Sequence, residues 1–196
     1  MLSRIVAYWV YGGALAAVLL LLLLPTISMG WSTLTLVTFL HLPVYMLHQL
    51  EEHDQDRFRT FFNQTIGQGY EALSSLAVFV TNVPGVWLLI VVAIYASTSS
   101  HPGWALLAVY LVLVNAVVHL VHALLFKRYN PGLATAIILF LPLGGIALWL
   151  TAATQTARPL HHAASALLAV VIHAAILMHV RRRLRSLKSG ASAASQ

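Results

Sequence analysis

Apolar residues come in runs of about twenty along most of the chain, separated by short polar stretches. Each run is long enough to cross the ~30 Å hydrocarbon core of a bilayer as a helix. The runs predict spans over residues 5–24, 31–50, 72–97, 104–126, 132–151 and 160–180. The first is longer than the roughly 7–15 apolar residues of a signal peptide, so it is read as a retained span ended by Pro25. Residues 53–66 are too polar to cross. Phe58, Phe61, Phe62 and Ile66 nevertheless form one helical stripe there, which predicts a short helix lying in the membrane interface. Pro43, Pro84 and Pro142 fall inside spans and predict kinks. The expected fold is all-α: a polytopic transmembrane helix bundle of about six spans plus a short interfacial helix. Residues 1–188 form a single domain, and 189–196 a disordered tail.

Composition strengthens this reading. The chain is 60% hydrophobic and 8% charged, with a mean hydropathy of +0.84. A soluble domain carries roughly 25% charged residues. There is no cysteine, which excludes disulfides, thiolate metal ligands and cysteine nucleophiles. The formal charge of +6 does not point to nucleic acid, because its densest cluster, Arg181 to Lys188, directly follows an apolar run. Six spans would put Arg4, Arg57, Arg59, Lys127, Arg128 and that cluster on one side, and only Arg158 on the other. The positive-inside rule then makes the first side cytoplasmic, with both termini on it. The expected location is the inner (plasma) membrane of a bacterium, with membrane lipid as the surrounding partner.

The acidic residues are concentrated as well. Glu51, Glu52, Asp54, Asp56 and Glu71 are the only ones, and all lie between positions 51 and 71. At the end of the second span stands His48-Gln49-Leu50-Glu51-Glu52. On a helix His48 shares a face with Glu51 at i+3 and Glu52 at i+4. The fourth span carries Asn115, His119 and His122 in one stripe, at a depth overlapping that of His48. Ionisable groups inside a membrane are unfavourable facing lipid and turn toward the bundle interior. His48, Glu52, His119 and His122 would together offer three imidazole nitrogens and a carboxylate oxygen, a set suited to a divalent metal such as zinc or iron. Glu51 would remain as a base or second ligand, and Asn115 could orient a ring. The same groups could equally hydrogen-bond one another and anchor two helices. Asn130 and Pro131 suit the N-cap and first position of the fifth span, whose free N–H groups could hold an anion or a carboxylate. Tyr129 suits the headgroup level.

His48-Gln49-Leu50-Glu51-Glu52, a later histidine, and Tyr129-Asn130-Pro131-Gly132 come in the order and spacing of a known pattern. On these residues the chain resembles the HXXEE-domain family of integral membrane proteins, over about residues 35–180. The resemblance implies that His48, Glu51, Glu52, one of His119 and His122, Tyr129, Pro131 and Gly132 are the family's characteristic positions. It implies a catalytic group of Glu51, Glu52 and Tyr129, and supplies no substrate. The EExxxR pattern of intramembrane CAAX-type proteases is absent, since Asp56 stands where the arginine belongs. The HExxH order of zinc peptidases is absent too. Three function classes stay open. One is a metal-dependent membrane hydrolase acting on a lipid or lipid-linked substrate near the cytoplasmic leaflet. The others are a non-catalytic carrier and a structural or partner-binding membrane subunit.

Overall fold

The structure is a computed structural model that describes residues 1–194. Regular structure among the described residues is entirely helical. Long helices α1 (Leu2–Ile27) and α2 (Thr33–His53) lead into a short helix, α3 (Arg57–Thr65). Then follow α4 (Ser75–Ser99), α5 (Pro102–Phe126), α6 (Leu133–Ala153) and α7 (Pro159–Ala194). Five of these, α1 and α4 to α7, are long and apolar enough to cross a membrane. The chain is thus an all-α membrane-type bundle, as the apolar runs predict, with α2 as its sixth long helix.

α2 falls outside that apolar set because of where it sits. Its buried residues include Thr38, His41, His48, Gln49, Glu52 and His53, beside Leu42, Tyr45 and Met46 of the main core. α1, by contrast, buries only Val10, Gly13 and Ala17 and exposes Leu15, Leu19 and Leu22 on its outer face. A helix packed among other helices can carry polar groups that a lipid-facing helix cannot. α2 packs against α1, α4, α5 and α6, which supply Ala17, Ile90, Leu111, Val112 and Phe140 to the same core.

The long helices run alternately up and down. Trp9 of α1 meets His53 at the end of α2, with ring centroids 5.3 Å apart. Gln49 bonds Asn82 near the start of α4 at 2.9 Å. The end of α5 and the start of α6 reach the same level through His119 and Thr135. Val180 and Leu184 of α7 join Phe62 and Leu73 there. All these groups mark one end of the bundle, which the rest of this account calls the motif end.

Local chemistry sets the boundaries. Ser32 caps α2 by accepting from the Thr35 N–H at 3.1 Å. Gln55 and Asp56 adopt φ of 52° and 61°, which breaks the chain between α2 and α3, so the expected 53–66 helix shortens to Arg57–Thr65. α2 continues unbroken through Pro43. Wide i→i+5 turns occupy Thr81–Trp87 around Pro84 and Ala136–Phe140 just before Pro142. Wide turns of this kind accommodate the missing proline N–H and recur at functional sites.

Two expectations change. The stripe on α3 faces the bundle: Phe62 is buried, and Phe58 and Ile66 pack with it against Leu73, Val78, Val180 and Leu184. It is covered by protein because α7 extends well past the membrane. At 36 residues, α7 is about 54 Å long, against ~30 Å of hydrocarbon. Its basic end docks on the α3–α4 loop, where Arg183 Nε donates to the Glu71 carbonyl at 3.1 Å. The sequence boundary at 188 is also passed, since helix continues to Ala194. The remainder of the expected tail, residues 195 and 196, lies outside the described residues.

Phe62→Ala should therefore destabilise detergent-solubilised protein by about 3 kcal/mol, the low end for a buried phenylalanine. Leu15→Ala, on the exposed face of α1, should shift a circular-dichroism melt far less. Equal midpoints for the two variants would show that the α3 stripe does not pack on the bundle.

Candidate metal centre

The last two turns of α2 carry the site. Glu52 is buried, 5% exposed, and three imidazoles surround it. His48, one turn back on α2, places Nε2 3.5 Å from Glu52 Oε2. His119 of α5 places Nε2 3.5 Å from Glu52 Oε1. His53 Nε2 lies 3.0 Å from Glu52 Oε2, within hydrogen-bond range. His48, Glu52 and His119 each offer one ligand atom within 4.8 Å of the others.

The outer side of each ring determines which nitrogen holds its proton. Asn130 Nδ2 donates to the His119 carbonyl at 2.9 Å, so Asn130 Oδ1 is the atom facing His119 Nδ1 at 2.6 Å. The ring proton of His119 is therefore on Nδ1. Thr135 spends its hydroxyl proton on the Glu51 carboxylate, so its oxygen accepts from His48 Nδ1, 2.8 Å away. The ring proton of His48 is on Nδ1 as well. Both Nε2 lone pairs then point at the Glu52 carboxylate, and His48 Nε2 is a buried atom without a hydrogen-bond partner among the described residues. Polar tethers on the far nitrogen are the usual way a metal-ligating histidine is oriented.

Glu51 does something different from Glu52. Its Oε1 accepts from the Tyr129 hydroxyl and from the Ala134 N–H at 3.2 Å. Its Oε2 accepts from the Thr135 N–H at 2.7 Å and from the Thr135 hydroxyl. The carboxylate thus caps the free N–H groups at the start of α6, where the helix dipole favours an anion. Burial, and then the bond to Glu51, push Tyr129 up to about 12, so its hydroxyl stays a donor. With four donors, Glu51 is occupied as an anchor, away from the role of base expected for it. Just before α6, Gly132 adopts φ +96°, and a Cβ there would sit 2.6 Å from His119 Cε1 and 2.9 Å from His48 Cε1. Only glycine fits between the two rings.

The remaining candidates fall into place around this core. His122 does not join the cluster; it stands beside Phe126, with centroids 5.9 Å apart, and lines a neighbouring cavity. Asn115 bonds the Tyr45 hydroxyl at 3.2 Å instead of His119, whose orienting partner is Asn130. His173 bonds the Ala169 carbonyl at 2.8 Å and lines the same cavity. Sequence reasoning missed a chain of amides behind His53. Trp87 Nε1 donates to Gln49 Oε1 at 2.6 Å, Gln49 Nε2 to Asn82 Oδ1 at 2.9 Å, and Asn82 Nδ2 lies 3.3 Å from His53 Nε2. The signal available was the polarity of Gln49 and Asn82 inside apolar spans. Asp54, Asp56 and Glu71 stay outside the site and pair with Arg57 and Arg59 at the motif end.

Comparison with known proteins adds one finding. No curated protein and no solved structure matches the chain. A family described as "Protein of unknown function with HXXEE motif" matches residues 39–147, which is more than half of the chain and encloses His48, Glu51, Glu52, His119, Tyr129 and Gly132. The chain belongs to the HXXEE family.

Proposed function

We propose that His48, Glu52 and His119 hold a divalent metal ion, zinc fitting best, and that the protein is a membrane hydrolase acting on a lipid or lipid-linked substrate. One observation carries this reading: two imidazole lone pairs converge on a buried carboxylate, with their ring protons held on the far side. Three acceptors facing one another need a positive charge between them. The separations suit a cation better than a shared proton. At 3.5 Å, the His48–Glu52 and His119–Glu52 distances exceed the ~2.7–3.2 Å of an N–H···O bond. Ligand atoms about 2.1 Å from a tetrahedral zinc stand roughly 3.4 Å apart; the two 3.5 Å distances go to different Glu52 oxygens, and one atom from each of the three residues lies within 4.8 Å of the others. A two-histidine, one-glutamate set leaves a fourth position open, as catalytic zinc sites do.

A bound ion would supply a water of lowered pKa and polarise the bond to be cleaved. The chain's own residues do the rest. Glu52 and His119 form part of the cavity wall, with His48 behind them. His53 also lines the cavity; with its Nε2 proton directed at Glu52, its Nδ1 would take the proton of the attacking water and return it to the leaving oxygen. Water is thereby divided between the two products, hydroxyl on the electrophilic centre and proton on the leaving group. Glu51, Tyr129 and Thr135 hold the start of α6 in place, and Asn130 and Thr135 fix the rings. On this reading the motif end faces the cytoplasm. Arg4, Arg57, Arg59, Lys127, Arg128 and the 181–188 cluster belong to that end, and Arg158 to the opposite one.

Metal analysis of zinc-loaded, detergent-purified protein should find about one ion per chain. His48→Ala, His119→Ala and Glu52→Gln should bind zinc at least tenfold more weakly, and Asn130→Ala about 10–100-fold more weakly. His122→Ala should keep the ion. His53→Ala should also keep it, while losing release of products from vesicles of a polar lipid extract, read by mass spectrometry. Equal zinc content in wild type and Glu52→Gln would overturn the metal centre. Equal product release by wild type and His48→Ala would overturn the hydrolase.

Single cysteines test the orientation cleanly, since the chain has none of its own. In intact cells a membrane-impermeant thiol reagent should label Ala153→Cys and spare Gly190→Cys. The reverse pattern would put the motif end outside.

A further inference from the structure

Beside the site lies a cavity of about 420 Å³, enclosed by α2, α3, α4, α5 and α7. That volume is in the range of small-molecule sites, roughly 300–1,000 Å³. Its wall is polar only in places. Glu52, His53 and His119 stand at one side near the motif end, while Leu111, Val114, Val118 and Ile172 are among the apolar residues that continue it inward. From Leu111 to His122 the lining extends about 16 Å along the α5 axis. Val117, Val121 and Val170 belong to this lining and are also exposed on the outer face of the bundle. The cavity therefore opens sideways between α5 and α7.

The depth of that opening identifies the phase it meets. Val121 and Val117 stand about 8 and 14 Å inward from Phe126, where α5 ends at the motif end. Val170 stands about 16 Å inward from the first arginine of the α7 basic cluster. Half of a hydrocarbon core is about 15 Å. The opening faces the acyl chains of the leaflet at the motif end, where a water-soluble ligand does not travel. Lys127 and Arg128 follow α5 directly, and Arg128 lies over the Phe61 ring, 4.8 Å from its centroid. They place positive charge at the headgroup level beside the opening.

We infer that the cavity seats the acyl chain of an anionic bilayer lipid, which enters laterally between α5 and α7 and brings its polar end to Glu52, His53 and His119. The chain occupies the apolar length past Val118 and Ile172. The head remains at the level of His122 and the basic residues. The inference deepens the metal-dependent reading and rests on it for the role of the polar end. The seat for the chain rests on the cavity alone.

A diazirine-bearing fatty acid, added to zinc-loaded protein in nanodiscs of neutral phospholipid, tests the seat. Photolabelling should concentrate on peptides covering 114–121 and 170–177, and excess unlabelled fatty acid should compete it away. Labelling of the exposed outer face of α1, around Leu15 to Leu22, should not be competed. Val118→Trp fills the cavity and should reduce the competed labelling at least tenfold while zinc stays bound. Ile172→Trp gives a second blocking variant on the opposite helix should Val118→Trp fold poorly. Zinc bound normally with no competed labelling in wild type would overturn the acyl seat and leave the metal centre standing. Competed labelling in protein that holds no zinc would uphold the seat and overturn the metal centre. Unchanged competed labelling in both tryptophan variants would also overturn the seat.

Discussion

The structure turns on a carboxylate kept out of water. Among the described residues, Glu52 pairs with no lysine or arginine, and its close neighbours are the imidazoles of His48, His53 and His119. An unpaired buried charge costs several kcal/mol even after relaxation. On the proposed reading, the groups around it are arranged to hold a cation there. His53 supplies one hydrogen bond. His48 and His119 supply lone pairs, which favour Glu52 only with a cation or proton between them. The helix that carries these polar groups is consequently enclosed, and the apolar helices α1, α4, α5 and α6 pack around it.

The two adjacent glutamates divide the work by helical phase. Successive residues on a helix are about 100° apart, so Glu52 turns toward α5 while Glu51 turns toward α6. Glu51 ties down the first N–H groups of α6 and the Thr135 hydroxyl, and Thr135 in turn fixes the His48 ring. The Tyr129-to-Gly132 turn contributes at three points. Tyr129 donates to Glu51, Asn130 orients His119, and Gly132 leaves room for both rings. The His48-to-Glu52 segment and the Tyr129-to-Gly132 turn, both inside the family match, thus form one packed unit. That unit joins α2, α5 and α6.

Much of this was legible in the sequence. Apolar runs located the long helices within a few residues, because bilayer thickness imposes their length, except that α7 runs on to Ala194 from an expected end at 180. The i, i+4 relation of His48 and Glu52, and the matching depth of His119, anticipated the meeting of α2 with α5. Other parts depend on contacts that spacing does not encode. His122 lies three residues beyond His119, a rotation of about 60° off its direction on a helix, and that offset turns it away from Glu52. Asn130 reads locally as a helix cap, yet its amide is used across the turn on His119. His53 stands five residues from His48, on a different side of an ideal helix; as the last residue of α2 it nevertheless reaches Glu52. The stripe on α3 has the pattern of an interfacial helix, and only the length of α7 shows that protein covers it.

X-ray absorption on zinc-loaded protein tests the central claim most directly. The account predicts a four-coordinate ion with two imidazole nitrogens at about 2.0–2.1 Å and oxygen completing the shell. It further predicts that the imidazole scattering halves in His119→Ala protein that still retains zinc at high concentration. A shell made only of oxygen, or two imidazoles persisting in His119→Ala, would contradict it.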